Sequence, residues 1–315
     1  MITNKKISAI VLAYKDEGNI QELYKRLKGV LRKITPNYEI IYVNDDSPDK
    51  SEQILRKLAK KDKKLKVILH SRTFGAQSAF STGMRYASGD AVVIMDGDLQ
   101  DPPELIEKFV EKWLEGFKVV YGVRKKREKS LGKIYANFYH LFYILFNKLS
   151  YVRMPLDAGD FSLMDRVVVS HINQLPEKDR FIRGLRAWVG FTQIGVQFTR
   201  PERFSGSSTN SFFKNLKWVR KAIFSFSFEP LEWVFYIALL SFFVSIIAIL
   251  VYILLYFYIP NTPKGFLTLL IAILFLGSIQ LIVLSIVCEY LRRIFEEVKS
   301  RPTSIVKEVI NSKNG

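Results

Sequence analysis

An α/β domain joined to two membrane-spanning helices is the fold class this sequence predicts, and three patterns carry that prediction. Apolar runs of strand length alternate with helical segments at the pace of βαβ units in the first part of the chain. Acids and glycines gather at the ends of those runs. Two long stretches near the C-terminus hold no charged residue at all: Trp233 to Ile259 and Phe266 to Cys288.

The strands expected are Ile7–Leu12, Glu39–Asn44, Leu65–Leu69, Ala91–Met95 and Lys118–Val123, each a short apolar run suited to a sheet covered on both faces. Between them, Ile20–Ile34, Ser51–Lys61, Ala76–Ala87 and Pro103–Glu115 carry helical periodicity. The strands end in Tyr14-Lys15-Asp16-Glu17-Gly18, Asn44-Asp45-Asp46-Ser47, Ser71-Arg72 and Asp96-Gly97-Asp98-Leu99-Gln100. A parallel sheet collects all of these along one edge, where open α/β folds bind their ligands.

The last of these ends is the most informative. In an extended chain, alternate side chains share one side, so Asp96, Asp98 and Gln100 are expected to aim oxygen atoms at one point. Mg²⁺ or Mn²⁺ takes such oxygen ligands, with water and phosphate completing the shell. The plainer reading is a strand end running into a helix start, with Asp101 as cap, Pro102 at the first helical position and Glu104 as an early acid. The two readings are compatible.

Each uncharged stretch exceeds the roughly 20 residues that cross about 30 Å of hydrocarbon. No signal peptide is expected, since Met1 to Lys6 leads directly into the first strand. Lys214, Lys217, Arg220 and Lys221 precede the first span, and Arg292, Arg293, Lys299 and Arg301 follow the second, while the loop between carries only Lys264. The positive-inside rule then puts the α/β part and both termini in the cytoplasm and only the short loop outside. The segments Leu131–Tyr151 and Phe212–Phe228 combine aromatic and basic residues, the composition of helices that lie in a membrane interface. The divisions expected are 1–130, an α/β core; 131–230, a part with interfacial helices; 231–259 and 266–288, the spans; and 289–315, a charged tail. A net charge of +17 suits anionic headgroups and a phosphorylated lipid, and no nucleic-acid motif is present. Cys288, the only cysteine, supports neither a disulfide framework nor a zinc site.

Five motifs in order, and a tail after them, give the chain a family resemblance. Ile10 to Glu17 resembles the opening motif of glycosyltransferase family 2, Tyr42 to Ser47 its second acidic motif, and Met95 to Glu104 its metal-binding motif. Asp157-Ala158-Gly159-Asp160-Phe161 and Arg200-Pro201-Glu202-Arg203-Phe204-Ser205-Gly206 resemble later motifs of its polyisoprenyl-phosphate glycosyltransferase branch, and Glu289 to Ile294 with Arg301-Pro302 resembles that branch's tail. The chain departs from the pattern at Leu12, where proline is usual, at Lys15 and Thr73, where asparagine is usual, and at Ser207-Ser208-Thr209-Asn210, which lacks a lysine. Lys214 is the candidate to replace that lysine.

What the resemblance implies is a GT-A domain, Rossmann-like, that moves one sugar with inversion from a nucleotide sugar to a polyprenyl phosphate. Tyr14, Asp16 and Asp45 are then expected on the donor's base and ribose, with Asp96 near ribose and metal. Asp98 and Gln100 complete the metal site with Asp96. Arg124, Arg200 and Arg203 suit phosphate oxygens, because guanidinium groups pair with them bidentately. A phosphate monoester has a second pKa near ~6 and is largely dianionic at neutral pH, so the acceptor needs little help from a base. Asp160 is accordingly expected to position the acceptor rather than abstract a proton.

UDP-glucose is the donor favoured, with GDP-mannose, UDP-GlcNAc or an aminoarabinose nucleotide as alternatives. A homo-oligomer, with the tail past Arg301 as its contact, and a separate flippase are the partners expected. Two other classes compete. A processive polysaccharide synthase needs more spans and a glutamine-x-x-arginine-tryptophan motif, of which only Arg186-Ala187-Trp188 is present. An inactive membrane scaffold is opposed by the intact acids.

Overall fold

The computed structural model describes residues 1–124, 158–199, 227, 229–258 and 265–311. In chain order these form β1 (Ile7–Ala13), α1 (Ile20–Ile34), β2 (Tyr38–Asn44), α2 (Ser51–Lys61), β3 (Leu65–His70), α3 (Ala76–Tyr86), β4 (Ala91–Met95) and α4 (Leu105–Leu114). Then follow β5 (Val119–Arg124), β6 (Ala158–Asp165), α5 (Arg166–Gln174), α6 (Ile182–Trp188), β7 (Gln193–Phe198), α7 (Glu229–Tyr258), α8 (Phe266–Val298) and β8 (Val306–Ile310). The two interfacial segments 131–151 and 212–228, apart from Ser227, lie outside the described residues, as do Asp157, Arg200, Arg203 and Lys214.

All eight strands belong to one sheet in the order β7-β5-β6-β4-β1-β2-β3-β8. β1 pairs in parallel with β2 on one side and β4 on the other, and β3 continues the parallel set beyond β2. The order therefore reverses at β1, and the crevice beyond the carboxyl ends of β1 and β4 is where such sheets hold ligands. β2 and β4 are buried along their whole length, which explains apolar runs without alternation. On one face α1 buries Ile20, Leu23, Leu27, Val30, Leu31 and Ile34 against residues such as Val11, Tyr42 and Val93. On the other, Phe80 and Met84 of α3 and Ile172 of α5 cover Ile10, Ile41 and Ile94.

The expected all-parallel sheet is corrected beyond β4. The strand anticipated at Lys118–Val123 exists as β5, but β6 lies between it and β4, antiparallel to both. β6 carries Asp160, Ser162 and Asp165 among Phe161, Leu163 and Met164, a polar share that hid its strand character. β7 adds to the far side of β5 in parallel.

α7 and α8 have 30 and 33 residues, about 45 Å or more of helix each. Both contain a segment long and apolar enough to cross a membrane, with none of its residues buried. Phe235 and Leu240 at 64% and Leu281 at 69% exposure are far beyond what a water-soluble surface leaves uncovered. The rest of the described chain therefore does not cover these runs. α8 continues past Cys288: the Tyr290 hydroxyl donates to the Ser227 carbonyl just before α7 (2.8 Å), and α8 ties into the sheet-bearing part where Arg293 pairs with Asp179 (3.3 Å) and Glu297 accepts from the Lys178 N–H (2.8 Å). The chain then returns to the sheet, where β8 pairs antiparallel with β3. The segment past Arg301, expected to contact another copy, here fills the sheet edge of its own chain.

Candidate active site

The acids named from the sequence converge at the crevice between β1 and β4. Asp16 follows β1 in a turn that Lys15 enters with a left-handed φ of 60°. Its carboxylate accepts from the Tyr14 N–H (3.1 Å) and from the Asn19 amide (3.1 Å). Burial raises its pKa, with Asp98 and Asp49 adding to the rise against those two hydrogen bonds. Gly97 holds this loop against the end of β4: a Cβ there would lie 2.3 Å from the Leu12 carbonyl oxygen and 2.9 Å from Asp16 Oδ2. Only glycine permits that approach, and it brings Asp16 beside the Asp96–Asp98 loop.

That loop differs from its expected form. The strand stops at Met95, and Leu99 takes a left-handed φ of 61°, so the period-two argument does not apply beyond residue 95. A turn gathers the acids instead: Asp98 Oδ1 accepts from the Gln100 N–H (3.1 Å), and Asp101 Oδ2 accepts from the Asp96 N–H (3.3 Å). Asp98, Gln100 and Asp101 are buried and Asp96 is half-buried. Burial, then Asp101, Asp98 and Asp160, push Asp96 up to about 8, with Arg183 opposing. Among the described residues the acids around Asp96 outweigh the one arginine that opposes them. Among the described residues no three His, Cys, Asp or Glu form a ready cage. The donor set fits a hard cation held by two carboxylates and an amide, the remaining positions going to phosphate and water.

Asp160 on β6 lies close enough to Asp96 to raise its pKa. Arg183 on α6 grips it bidentately, Nε to Oδ1 and Nη2 to Oδ2, both at 2.9 Å, and Gln77 Nε2 adds a third bond to Oδ2 (3.3 Å). Burial alone would raise the Asp160 pKa, but Arg183, Arg186 and Gln77 together hold it below the ordinary value. Arg186 is 1% exposed, donates to the Gly159 carbonyl at 3.4 Å and sits over the Tyr121 ring, 5.2 Å from its centroid. Its desolvation brings its pKa down to about 10. Arg124, at the end of β5, places Nη2 3.4 Å from where a Gly159 Cβ would stand. Arg183 and Arg186 thus both act on Asp160, and Arg124 lies beside the neighbouring Gly159, so positive charge gathers next to an acid-rich loop.

Asp45 follows β2 and is 2% exposed. It accepts from the Phe74 N–H (2.8 Å) and the Gly75 N–H (2.7 Å), and it meets His70 Nδ1 at 2.8 Å. Burial raises its pKa, but these three partners bring it below the usual value. The carboxylate therefore pins the β3–α3 loop, where Gly75 adopts a φ of 93° that other residues rarely take.

The structure thus brings Tyr14, Asp16, Asp45, Asp96, Asp98, Gln100, Arg124 and Asp160 to one edge of the sheet. Arg200 and Arg203 are outside the described residues. Arg183, Gln77 and His70 were not singled out from the sequence. Arg183 and Arg186 did carry a signal, two cations three positions apart on one helix face that both turn to one acid.

A Rossmann-like mixed sheet with acids at the carboxyl ends of β1, β2 and β4 is the GT-A arrangement of a sugar-transferring enzyme. The chain belongs to glycosyl transferase family 2, whose sequence profile matches residues 8–172. "Uncharacterized glycosyltransferase sll0501" of Synechocystis sp. is 41% identical over 310 residues, spanning 96% of this chain and 95% of that protein. "Bactoprenol glucosyl transferase" of Shigella phage SfII is 36% identical over 310 residues, spanning 96% of this chain and 98% of that protein. The second of these relatives supports the polyisoprenyl-phosphate branch of the family. Among solved structures, a mannosyltransferase, PcManGT, from Pyrobaculum calidifontis in complex with GDP-Man and Mn2+ is similar at 18% identity and a TM-score of 0.45, over 64% of this chain and 59% of that one.

Proposed function

We propose that this chain transfers a single sugar, with inversion, from a nucleotide sugar to polyprenyl phosphate at the cytoplasmic membrane face, UDP-glucose and undecaprenyl phosphate being the favoured pair. The observation that carries the reading is the acid loop at β4 facing the Asp160–Arg183 pair, in a chain that matches bactoprenol glucosyl transferases over 96% of its length.

In this reading Tyr14, Asp16 and Asp45 hold the base and ribose of the donor. Asp96, Asp98 and Gln100 hold Mg²⁺ or Mn²⁺, which when bound neutralises the diphosphate leaving group. A dianionic phosphate oxygen of the lipid forms a bond to the anomeric carbon as the bond from that carbon to the nucleoside diphosphate breaks. No proton has to move. Asp160 is engaged on both oxygens by Arg183, a geometry suited to orienting groups and ill suited to taking a proton. Arg183 and Arg186 at Asp160 and Arg124 beside Gly159, joined by Arg200 and Arg203, draw the lipid phosphate toward the donor.

The return of the chain into the catalytic sheet as β8 supports a two-span topology with both termini on one side. The lipid-linked sugar is then available to a separate flippase for use on an envelope glycan. The test uses purified full chain in detergent, undecaprenyl phosphate, Mg²⁺ or Mn²⁺ and a panel of radiolabelled nucleotide sugars. An organic-extractable product that disappears with Asp98→Ala is expected. Donor binding without product for any donor would favour the inactive scaffold.

A further inference from the structure

The residues behind Asp45 form a continuous chain that leads out of the donor end of the crevice and into the C-terminal segment. His70, 2% exposed, meets Asp45 Oδ1 through Nδ1 (2.8 Å) and Thr82 Oγ1 through Nε2 (3.0 Å). Thr82 Oγ1 in turn meets Ser304 Oγ at 2.7 Å. Thr82 is 1% and Ser304 8% exposed, so the whole path is dry. Two further bonds fix the outer end: the Ser71 N–H donates to the Ile305 carbonyl (3.0 Å), and Arg85 donates to Thr303 Oγ1 (2.9 Å).

The direction of each bond follows from chemistry. An ionised Asp45 only accepts, so Nδ1 carries a proton toward it. In the neutral ring Nε2 then accepts, and the Thr82 hydroxyl donates to it. The Ser304 hydroxyl donates to the remaining lone pair of Thr82. If the ring gains a second proton, Thr82 turns its hydroxyl to the Ser78 carbonyl, 3.0 Å away, and the path stays satisfied. Asp45 spends three acceptor sites on Phe74, Gly75 and His70. A carboxylate has about four, and the fourth is on Oδ2, the oxygen that accepts from Gly75.

We propose that His70, braced through Thr82 by Ser304 of the segment following α8, is a positioning residue for the donor site. It fixes Asp45 so that its last acceptor site meets an N–H of the nucleotide base and the Phe74–Gly75 loop keeps its shape. The membrane anchor's own tail is thereby part of the donor site's support. This inference rests on the assignment of Asp45 to the donor.

Asparagine places an amide N–H where Nδ1 stands and keeps the bond to Asp45, whereas glutamine reaches toward Thr82 and loses it. Calorimetric titration of UDP, and of GDP in parallel, into the full chain with Mn²⁺ in detergent separates these cases. The expected result is that His70→Gln weakens nucleotide binding about tenfold while His70→Asn stays near wild type. Ser304→Ala is expected to weaken it about threefold, the loss of a neutral bond one step removed. The KM for undecaprenyl phosphate should not change in any of the three. Equal losses in both His70 variants, or no loss in His70→Gln, would overturn the role of His70; wild-type binding in Ser304→Ala would overturn that of the tail. Asp45→Asn is the control for the underlying assignment: if it leaves nucleotide affinity unchanged, the donor role of Asp45 itself fails.

Discussion

Replacing Arg183 with glutamine removes both charged bonds to Asp160 while keeping a shorter, neutral polar side chain. The pair is bidentate at 2.9 Å, and its side chains are only 21% and 11% exposed, so solvent takes over little of the lost interaction. Breaking such a pair from one side costs about 3 kcal/mol, because a desolvated carboxylate is left behind. Borne by the transition state, that is about a hundredfold in kcat/KM. The variant also shifts a titration. In the wild type, burial works to raise the Asp160 pKa and Arg183 leads the groups that hold it down. Without Arg183, burial prevails and the pKa rises. Activity that needs the carboxylate is then lost at a higher pH as the solution is made acidic, so the acid limb of the kcat/KM profile moves upward. Lipid-product formation from a saturating donor across pH 4.5 to 8, for Arg183→Gln, Asp160→Asn and the double variant, checks both effects. The double variant should recover part of the loss, since no unpaired charge remains. An unmoved acid limb, with kcat/KM within about twofold of wild type, would refute the assignment of Asp160 and Arg183 as a working pair.

Other expectations follow from the same geometry. Gly97→Ala puts a methyl 2.3 Å from the Leu12 carbonyl oxygen and should lower stability by about 1–3 kcal/mol while disordering the Asp16 contact, measured as a fall in Tm together with lost transfer. With Asp96 pushed up to about 8, Mn²⁺ must displace a proton at neutral pH. Affinity should then rise about tenfold per pH unit up to that value, with proton release visible by calorimetry in two buffers; a flat profile in wild type would contradict the metal assignment. Asp62 is half-buried against Lys28, Tyr24 and the Lys64 N–H, and despite the opposing effect of burial its pKa falls to about 2. A lowered carboxylate stabilises the fold above its unfolded pKa near ~4 and stops doing so as pH drops toward 2. After allowance for solvent screening the contribution is about 1 kcal/mol, and Asp62→Asn should flatten the decline of Tm between those limits.

The sequence was most legible where burial is two-sided. β1 to β4 and the helices between them read correctly because strands covered on both faces are uninterrupted apolar runs, and α1 shows its stripe every three to four residues. β6 was missed because it carries the site's own polar residues, Asp160 and Ser162. β7 alternates Gln193, Gly195 and Gln197 with Ile194, Val196 and Phe198, a pattern open to reading but weak in so short an element. β8 is a short segment with Lys307 and Glu308 at its middle, ordinary for a sheet edge. The acids at the site were named from their order along the chain, yet the means of gathering them were not visible. The left-handed turn at Leu99 and the contact at Gly97 depend on neighbours far away in sequence. Arg183 and His70 act on Asp160 and Asp45 from other elements, and no local spacing links them.

Mass spectrometry of the lipid formed from undecaprenyl phosphate and UDP-glucose by the full chain in detergent tests the central claim most directly. The account predicts a single species, undecaprenyl phosphate plus one hexose, formed by the wild type with Mg²⁺ or Mn²⁺ and absent with Asp98→Ala. A ladder of added sugars would point to a processive enzyme. No lipid product from any nucleotide sugar would contradict the account outright.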